Sequence, residues 1–405
     1  MADQMQWANA LSTRPSLEAA VTEVVQKAVS ALPAPADLGL VFISSAFMSE
    51  YSRLLPLLAE KLSVPVLIGC SAGGVIGEKE GQTQEIEAEP AISLTLAHLP
   101  GVEVKPFHVL ADELPDLDSS PNAWIDLLGV SPSEKPQFIV LSSPTGAGIN
   151  DLLQGLDFAY PGSVTVGGLA SSGFMNGRVA LFCGDRLHRE GTVGVALAGN
   201  IVLDTIVAQG CRPIGEPLRV TKAERNIILE LDEKVPLNLL RDLISSLSEE
   251  ERKLAQHSLF VGLAMDEFKL NLQQGDFLIR NILGVDPTAG AIAIGDRIRP
   301  GQRLQFHLRD AHASAEDLEF LLEKYQNQYP DDEQVSACGA LMFTCLGRGQ
   351  GLYNQANFDS QLFNQYVEDI PVGGFFCGGE IGPVGGRTFL HGYTSVFAIC
   401  RQAHS

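Results

Sequence analysis

The chain has 405 residues, a formal net charge of −21 and 45% hydrophobic residues, so it can bury a sizeable core and is not a disordered polypeptide. The acid excess argues against nucleic acid or an anionic membrane as partner, since both would repel it, and it otherwise serves solubility. The seven cysteines form no CxxC and, with the eight histidines, no zinc spacing. Free thiols inside apolar runs suit a reducing compartment, no basic leader is visible, and no apolar run reaches membrane-spanning length. The expectation is a cytoplasmic protein with no membrane insertion, no metal and no cofactor.

In chain order, Leu17, Ala20, Val21, Val24, Val25, Ala28 and Leu32 follow the helical period, and Pro33 and Pro35 stop that helix. An apolar run over 38–45, a helix over 49–63 and a second apolar run from Val66 ending in Gly69-Cys70-Ser71-Ala72-Gly73-Gly74 read as a β-α-β unit. Segments 91–97 and 102–110 read as strands turning at Pro100-Gly101. A second unit follows, with a strand over 137–143, a helix over 150–160 and a run from Val164 that ends in small residues through Gly173. Strands over 178–183, 192–197 and 202–208 are joined by turns at Gly184-Asp185 and Gly199-Asn200, so neighbours pair antiparallel and the sheets are mixed.

Near residue 210 the texture changes. Strands are expected over 218–221 and 227–231, a charged helical stretch over 236–256, then strands over 259–264, 277–282, 291–294 and 303–308. Ser314-Ala-Glu-Asp317 fits a capping box opening a helix. A third β-α-β unit has its strand over 340–345, its helix over 359–368 and its second run over 373–382, before a last strand over 394–400. The internal repeat implies an α/β fold of mixed sheets, built from β-α-β-plus-hairpin units with helices outside. The expected division is an N-terminal helix in 1–35, an N-module over 36–217 and a C-module over 218–405.

Ile68-Gly-Cys-Ser-Ala-Gly-Gly74, Val166-Gly-Gly-Leu-Ala-Ser171, Phe343-Thr-Cys-Leu-Gly-Arg-Gly349 and Pro371-Val-Gly-Gly-Phe-Phe-Cys-Gly-Gly-Glu-Ile-Gly-Pro383, in this order, resemble the FIST family, and Phe389-Leu-His-Gly-Tyr-Thr394 extends the match. The resemblance covers the chain from about residue 36, N-module before C-module. It implies a sensory domain that binds a small ligand, with amino acids the common guess, and passes that state to a signalling partner. It supplies no catalytic set. The family's eukaryotic members carry an F-box; no such segment and no kinase, cyclase or receptor module is read here, so another, unidentified protein would carry the signal.

Gly69-Cys70-Ser71-Ala72-Gly73 matches G-x-S-x-G after an apolar strand, which admits a serine hydrolase with His391 as a third member. A nucleophile elbow needs a helix after the serine, however, and Gly77 and Gly81 interrupt one. The preferred reading makes Ser71 part of a non-catalytic pocket loop. Arg348, between glycines at a strand exit, offers a fork for a ligand carboxylate, and Glu380, also between glycines, a partner for its amine. Each has a structural alternative: an ion pair between the two, a surface arginine, or a capping contact. Cys70, Cys345 and Cys377 occupy corresponding exits, either as small core hydrophobes or as pocket lining. Ser143, Ser171 and Ser172, with Ser44, Ser45 and Ser142, line a polar cavity or cap helices. His307 and His312 are not a ligand pair, and Gly146-Ala-Gly148 fails the dinucleotide pattern. Three functions remain open at this stage: a ligand sensor, the hydrolase, and an adaptor without small ligand that binds a basic protein.

Overall fold

A computed structural model of the chain describes residues 4–145, 148–172, 178–272, 275–329 and 337–403; Gly146, Ala147 and Gly173 lie outside them. The fold is α/β with mixed sheets. It has two compact units, one of residues 1–207 with 321–405 and one of residues 208–320.

Among the described residues the larger unit holds three six-stranded sheets, and each contains one of the expected β-α-β segments as a parallel pair. Leu38–Ser44 pairs with Val66–Ala72, Gln137–Ser142 with Thr165–Leu169, and Ala337–Cys345 with Val372–Cys377. The crossover helices are Tyr51–Ala59, Ile149–Ala159 and Phe358–Tyr366. The first is shorter than expected, because a 3-10 turn, Ser45–Glu50, precedes it and the chain leaves the helix at Glu60.

The glycines of the three second strands have a common cause. A Cβ on Gly69 would lie 2.0 Å from Val41 O, one on Gly167 1.8 Å from Val140 O, and one on Gly374 1.8 Å from Met342 O. Each of those carbonyls belongs to the glycine's own register partner. A side chain there would force the parallel strands apart.

On the far side, each second strand pairs antiparallel with a hairpin contributed by a different segment. Val66–Ala72 receives Leu181–Cys183 with Arg186–His188. Thr165–Leu169 receives Glu380–Val384 with Arg387–His391. Val372–Cys377 receives Gly74–Lys79 with Gln82–Glu87. The hairpin that follows each β-α-β segment thus completes another segment's sheet, in cyclic order. Gln6–Ser12 and Ile92–His98 finish the first sheet, Val102–Val109 and Thr192–Gly199 the second, and Val202–Ala208 and Ser395–Arg401 the third.

Strand alternation aims Phe42, Ile68, Cys70, Ile139, Val166, Phe343, Phe375 and Cys377 into one shared core. Outside the first sheet, helix Leu17–Ala31 buries Leu17, Ala20, Val21, Val24, Val25 and Ala28, the residues that set its period. Each buried Leu or Val there contributes roughly 1.5–3 kcal/mol.

The smaller unit is a closed barrel in the order Arg212–Glu224, Ile227–Leu231, Ile292–Ile294, Phe277–Val285, Leu259–Ala264, Arg303–Leu308. Its long first strand pairs with Arg303–Leu308 on both sides of a register shift between Ile214 and Leu218, where Gly215 takes φ +64°, and with Ile227–Leu231 from Val220 onward. The stretch expected as one helix over 236–256 is two helices, Pro236–Ser246 and Glu249–Ala255. Ser248 starts the second by accepting from Glu251 N–H, while the Glu251 side chain accepts from Ser248 N–H. The expected capping box at Ser314 is a correction. Helix Ala311–Gln328 begins earlier, Asp310 Oδ1 accepts from Ala313 N–H at 2.7 Å, and Ser314 Oγ donates to Gly210 O.

Candidate functional site

The exits of the three parallel pairs meet around Ser171. Its N–H donates to Ser71 O at 3.1 Å, and Ser71 Oγ donates to Ser171 O at 3.2 Å. Gly73 N–H donates to Ser171 Oγ at 2.8 Å, and that hydroxyl donates to Phe376 O at 2.6 Å. Leu169 N–H donates to Gly379 O at 2.7 Å, and Gly378 N–H to Leu169 O at 3.0 Å. One seam therefore carries Cys70, Ser71, Ser171, Ser172 and Cys377. Ser143 sits on the second exit, where its hydroxyl pairs with Thr145 Oγ1 at 2.9 Å and its N–H donates to Gly191 O.

Ser71 is fully buried within its strand and accepts from Ala180 N–H at 2.9 Å. A strand, Gly74–Lys79, follows it instead of the helix a nucleophile elbow uses. His391 is buried, with Nε2 bonded to Gly382 O at 3.0 Å.

Arg348 is completely buried. The turn after Cys345 draws it inward, with its N–H donating to Cys345 O, and Gly349 at φ +61° leads into the short helix Gln350–Tyr353. Its Nε donates to Asp359 Oδ2 at 2.7 Å and its Nη2 to Asp359 Oδ1 at 2.9 Å, a fork on one carboxylate. Nη2 also donates to Tyr353 Oη at 2.5 Å, and the guanidinium lies 5.6 Å from the Tyr353 ring centroid. The carboxylate in the fork is thus Asp359, while Glu380 feels the Arg348 charge through space.

The strand Gln82–Glu87 closes this cluster. Glu85 Oε1 accepts from Ser360 N–H at 2.8 Å and Glu87 Oε1 from Gln350 N–H at 2.9 Å, so each acid meets the first turn of a helix. Glu85 is buried, and burial, followed by the Asp359 charge, pushes its carboxyl up to about 7. Burial drives Glu380 up to about 8, against the Thr394 N–H that donates to its Oε2 at 3.0 Å and the charge of Arg348. The same carboxyl meets the Cys345 thiol. Burial also holds the Cys70 and Cys377 thiols well above the ordinary range, whereas Cys345 is half-buried.

Asp359, Tyr353, Glu85 and Thr394 were not singled out in the sequence. Asp359 carried a signal, an acid in the first turn of a predicted helix eleven residues after Arg348. Glu85 carried none, because its place depends on a strand pairing between distant segments.

The chain matches the FIST N domain over residues 37–234 and the FIST C domain over 236–383. It belongs to the FIST family. FIST domains are generally regarded as signal-transduction sensory domains. An uncharacterized protein of Mycobacterium tuberculosis is 34% identical to this FIST chain over 390 residues, covering 96% of it and 98% of the relative. One from Mycobacterium bovis is 34% identical over 388 residues, covering 96% of each. An F-box/LRR-repeat protein of Arabidopsis thaliana is 28% identical over 117 residues, 26% of this chain and 22% of its own. Among the described residues no helix is long and apolar enough to cross a membrane.

Proposed function

We propose that this FIST protein is a cytoplasmic sensor for an amino acid or a similar small zwitterion, taken up at the seam of strand exits and reported to a separate signalling protein. Arg348 takes the ligand carboxylate and Glu380 its amine. Ser71, Ser143, Ser171, Ser172, Cys70, Cys345 and Cys377 furnish the surrounding hydroxyls, thiols and backbone. The observation that carries this reading is the fully buried Arg348–Asp359 fork at the strand exits, beside a second buried carboxyl on Glu380. Buried charge of this kind is weak as a stabilising device, and shifted carboxyls cluster at functional sites.

Asp359 occupies the place of a ligand carboxylate. An arriving ligand exchanges with it, so binding frees the helix Phe358–Tyr366 that carries Asp359. This couples occupancy to shape, because the two states then differ in affinity for the ligand.

The test is a thermal-shift screen of the whole chain against the standard amino acids. A ligand at ~100 times its Kd stabilises by roughly 2.7 kcal/mol, enough for a shift of about 2 °C or more. Asp359→Asn, which weakens the internal competitor, should tighten binding at least ~10-fold, or about 1.4 kcal/mol. Arg348→Lys, which keeps the charge and loses the fork, should weaken it. A ligand whose affinity ignores both substitutions would refute the role given to Arg348, and a flat screen would refute the amino-acid reading.

A further inference from the structure

Cys345 and Cys377 are register partners on adjacent parallel strands, each the last residue of its strand. Two residues earlier the ladder pairs Phe343 with Phe375, whose rings meet edge to face at 5.8 Å. Side chains repeat their direction every second residue, so the two thiols project side by side on that same face. Neighbouring strands lie ~4.8 Å apart, within the Cα separations of ~4.4–6.8 Å that disulfides span. Neither cysteine is in a disulfide; Cys377 is fully buried and Cys345 half-buried. Gly347 N–H donates to Cys345 Sγ at 3.4 Å, and the Glu380 carboxyl reaches the same thiol. A half-buried cysteine, its sulfur held by polar groups, thus sits beside a fully buried one.

We infer that Cys345 and Cys377 form a hydroperoxide-reactive pair, with Cys345 the attacking thiol and Cys377 the resolving one. The Cys345 thiolate attacks one oxygen of a small hydroperoxide. The O–O bond breaks, Cys345 becomes a sulfenic acid, and an alcohol or water leaves after taking up a proton. The Cys377 sulfur then attacks the sulfenic sulfur. The S–S bond forms, the S–O bond breaks, and the departing hydroxide leaves as water with the Cys377 proton. Two thiols and one hydroperoxide yield one disulfide, one alcohol and one water, the hydroperoxide being the two-electron oxidant. The closing movement falls on the turn 346–349 that follows Cys345, and not on the ladder. Disulfide formation withdraws the Cys345 thiol from Glu380. The inference does not depend on the ligand reading.

The experiment is peptide mapping under non-reducing conditions of the folded full chain after treatment with hydrogen peroxide at about 1 and 10 equivalents. A 345–377 crosslink should dominate, reverse with dithiothreitol and form while tryptophan fluorescence stays native. Cys345→Ser should abolish it, and Cys377→Ser should leave a dimedone-reactive sulfenic acid on Cys345. A Cys345 that stays reduced at 10 equivalents overturns the inference. So does a crosslink from Cys345 to Cys70 or Cys338 in place of Cys377, or one that appears only once fluorescence reports unfolding.

Discussion

The barrel should be acid-labile through one residue. His307 is buried, its Nδ1 bonded to Gln305 O at 3.0 Å, with its ring against Gly262 and edge-on to Phe277 at 4.8 Å. Burial lowers it from 6.5 to about 4. The folded barrel therefore refuses a proton that the unfolded chain accepts. Stability is fully present above about 6.5 and is lost as pH falls toward 4. At 1.36 kcal/mol per unit the total is about 3 kcal/mol. Tryptophan fluorescence cannot follow this, because both tryptophans, Trp7 and Trp124, lie outside residues 208–320. The assay is hydrogen exchange of Leu259–Ala264 and Arg303–Leu308 between pH 7 and 4.5, expressed as opening free energy. Wild type should lose most of that amount relative to His307→Gln, which cannot titrate. Parallel curves for the two proteins would show that His307 is not kept neutral.

The larger unit should respond in the opposite sense. Glu380 is raised to about 8, so its contribution is present below the ordinary carboxylate range and is lost as pH rises toward 8. Urea melts followed by tryptophan fluorescence at pH 6 and 9 should show a loss of a few kcal/mol in wild type that Glu380→Gln lacks; equal losses would contradict it. Arg348→Ala, leaving Asp359 buried without its fork, should cost ~3–5 kcal/mol, while Arg348→Met with Asp359→Leu should recover most of that in the same melts. Gly374→Ala, with its Cβ driven against the neighbouring carbonyl, should cost about 3 kcal/mol or more; an unchanged urea midpoint would mean that the strands can separate freely.

What was legible in the sequence is what local pattern encodes. Apolar runs carrying Gly69, Gly167 and Gly374 marked the three parallel pairs, because close strand contact and the absence of a Cβ are felt within the segment itself. The period of helix Leu17–Ala31 was legible for the same reason. Long-range pairing was not. Nothing near Glu85 announces that it will meet Ser360, and nothing in Arg212–Glu224 announces that one strand will serve two partners and help close a barrel. Arg348 was found because its glycine neighbours are unusual. Asp359 was missed because an acid in a first helical turn is ordinary. Ser314 was misread because Asp310, just upstream, starts the helix and leaves the serine to bond Gly210.

The cyclic exchange of hairpins has a consequence for biosynthesis. The hairpin of Gly74–Lys79 and Gln82–Glu87 leaves the ribosome early, yet the strand it completes is made far later; Glu78 accepts from Val372 N–H across 294 residues of sequence. At roughly 5–20 residues per second that interval is about 15–60 s, during which two strands are without their sheet. No sheet of the larger unit except the first can close before the C-terminal third of the chain has emerged. Truncations in that region should therefore yield an aggregating nascent chain in place of a smaller stable domain, and production of the protein should depend on holding early strands apart until the last ones arrive.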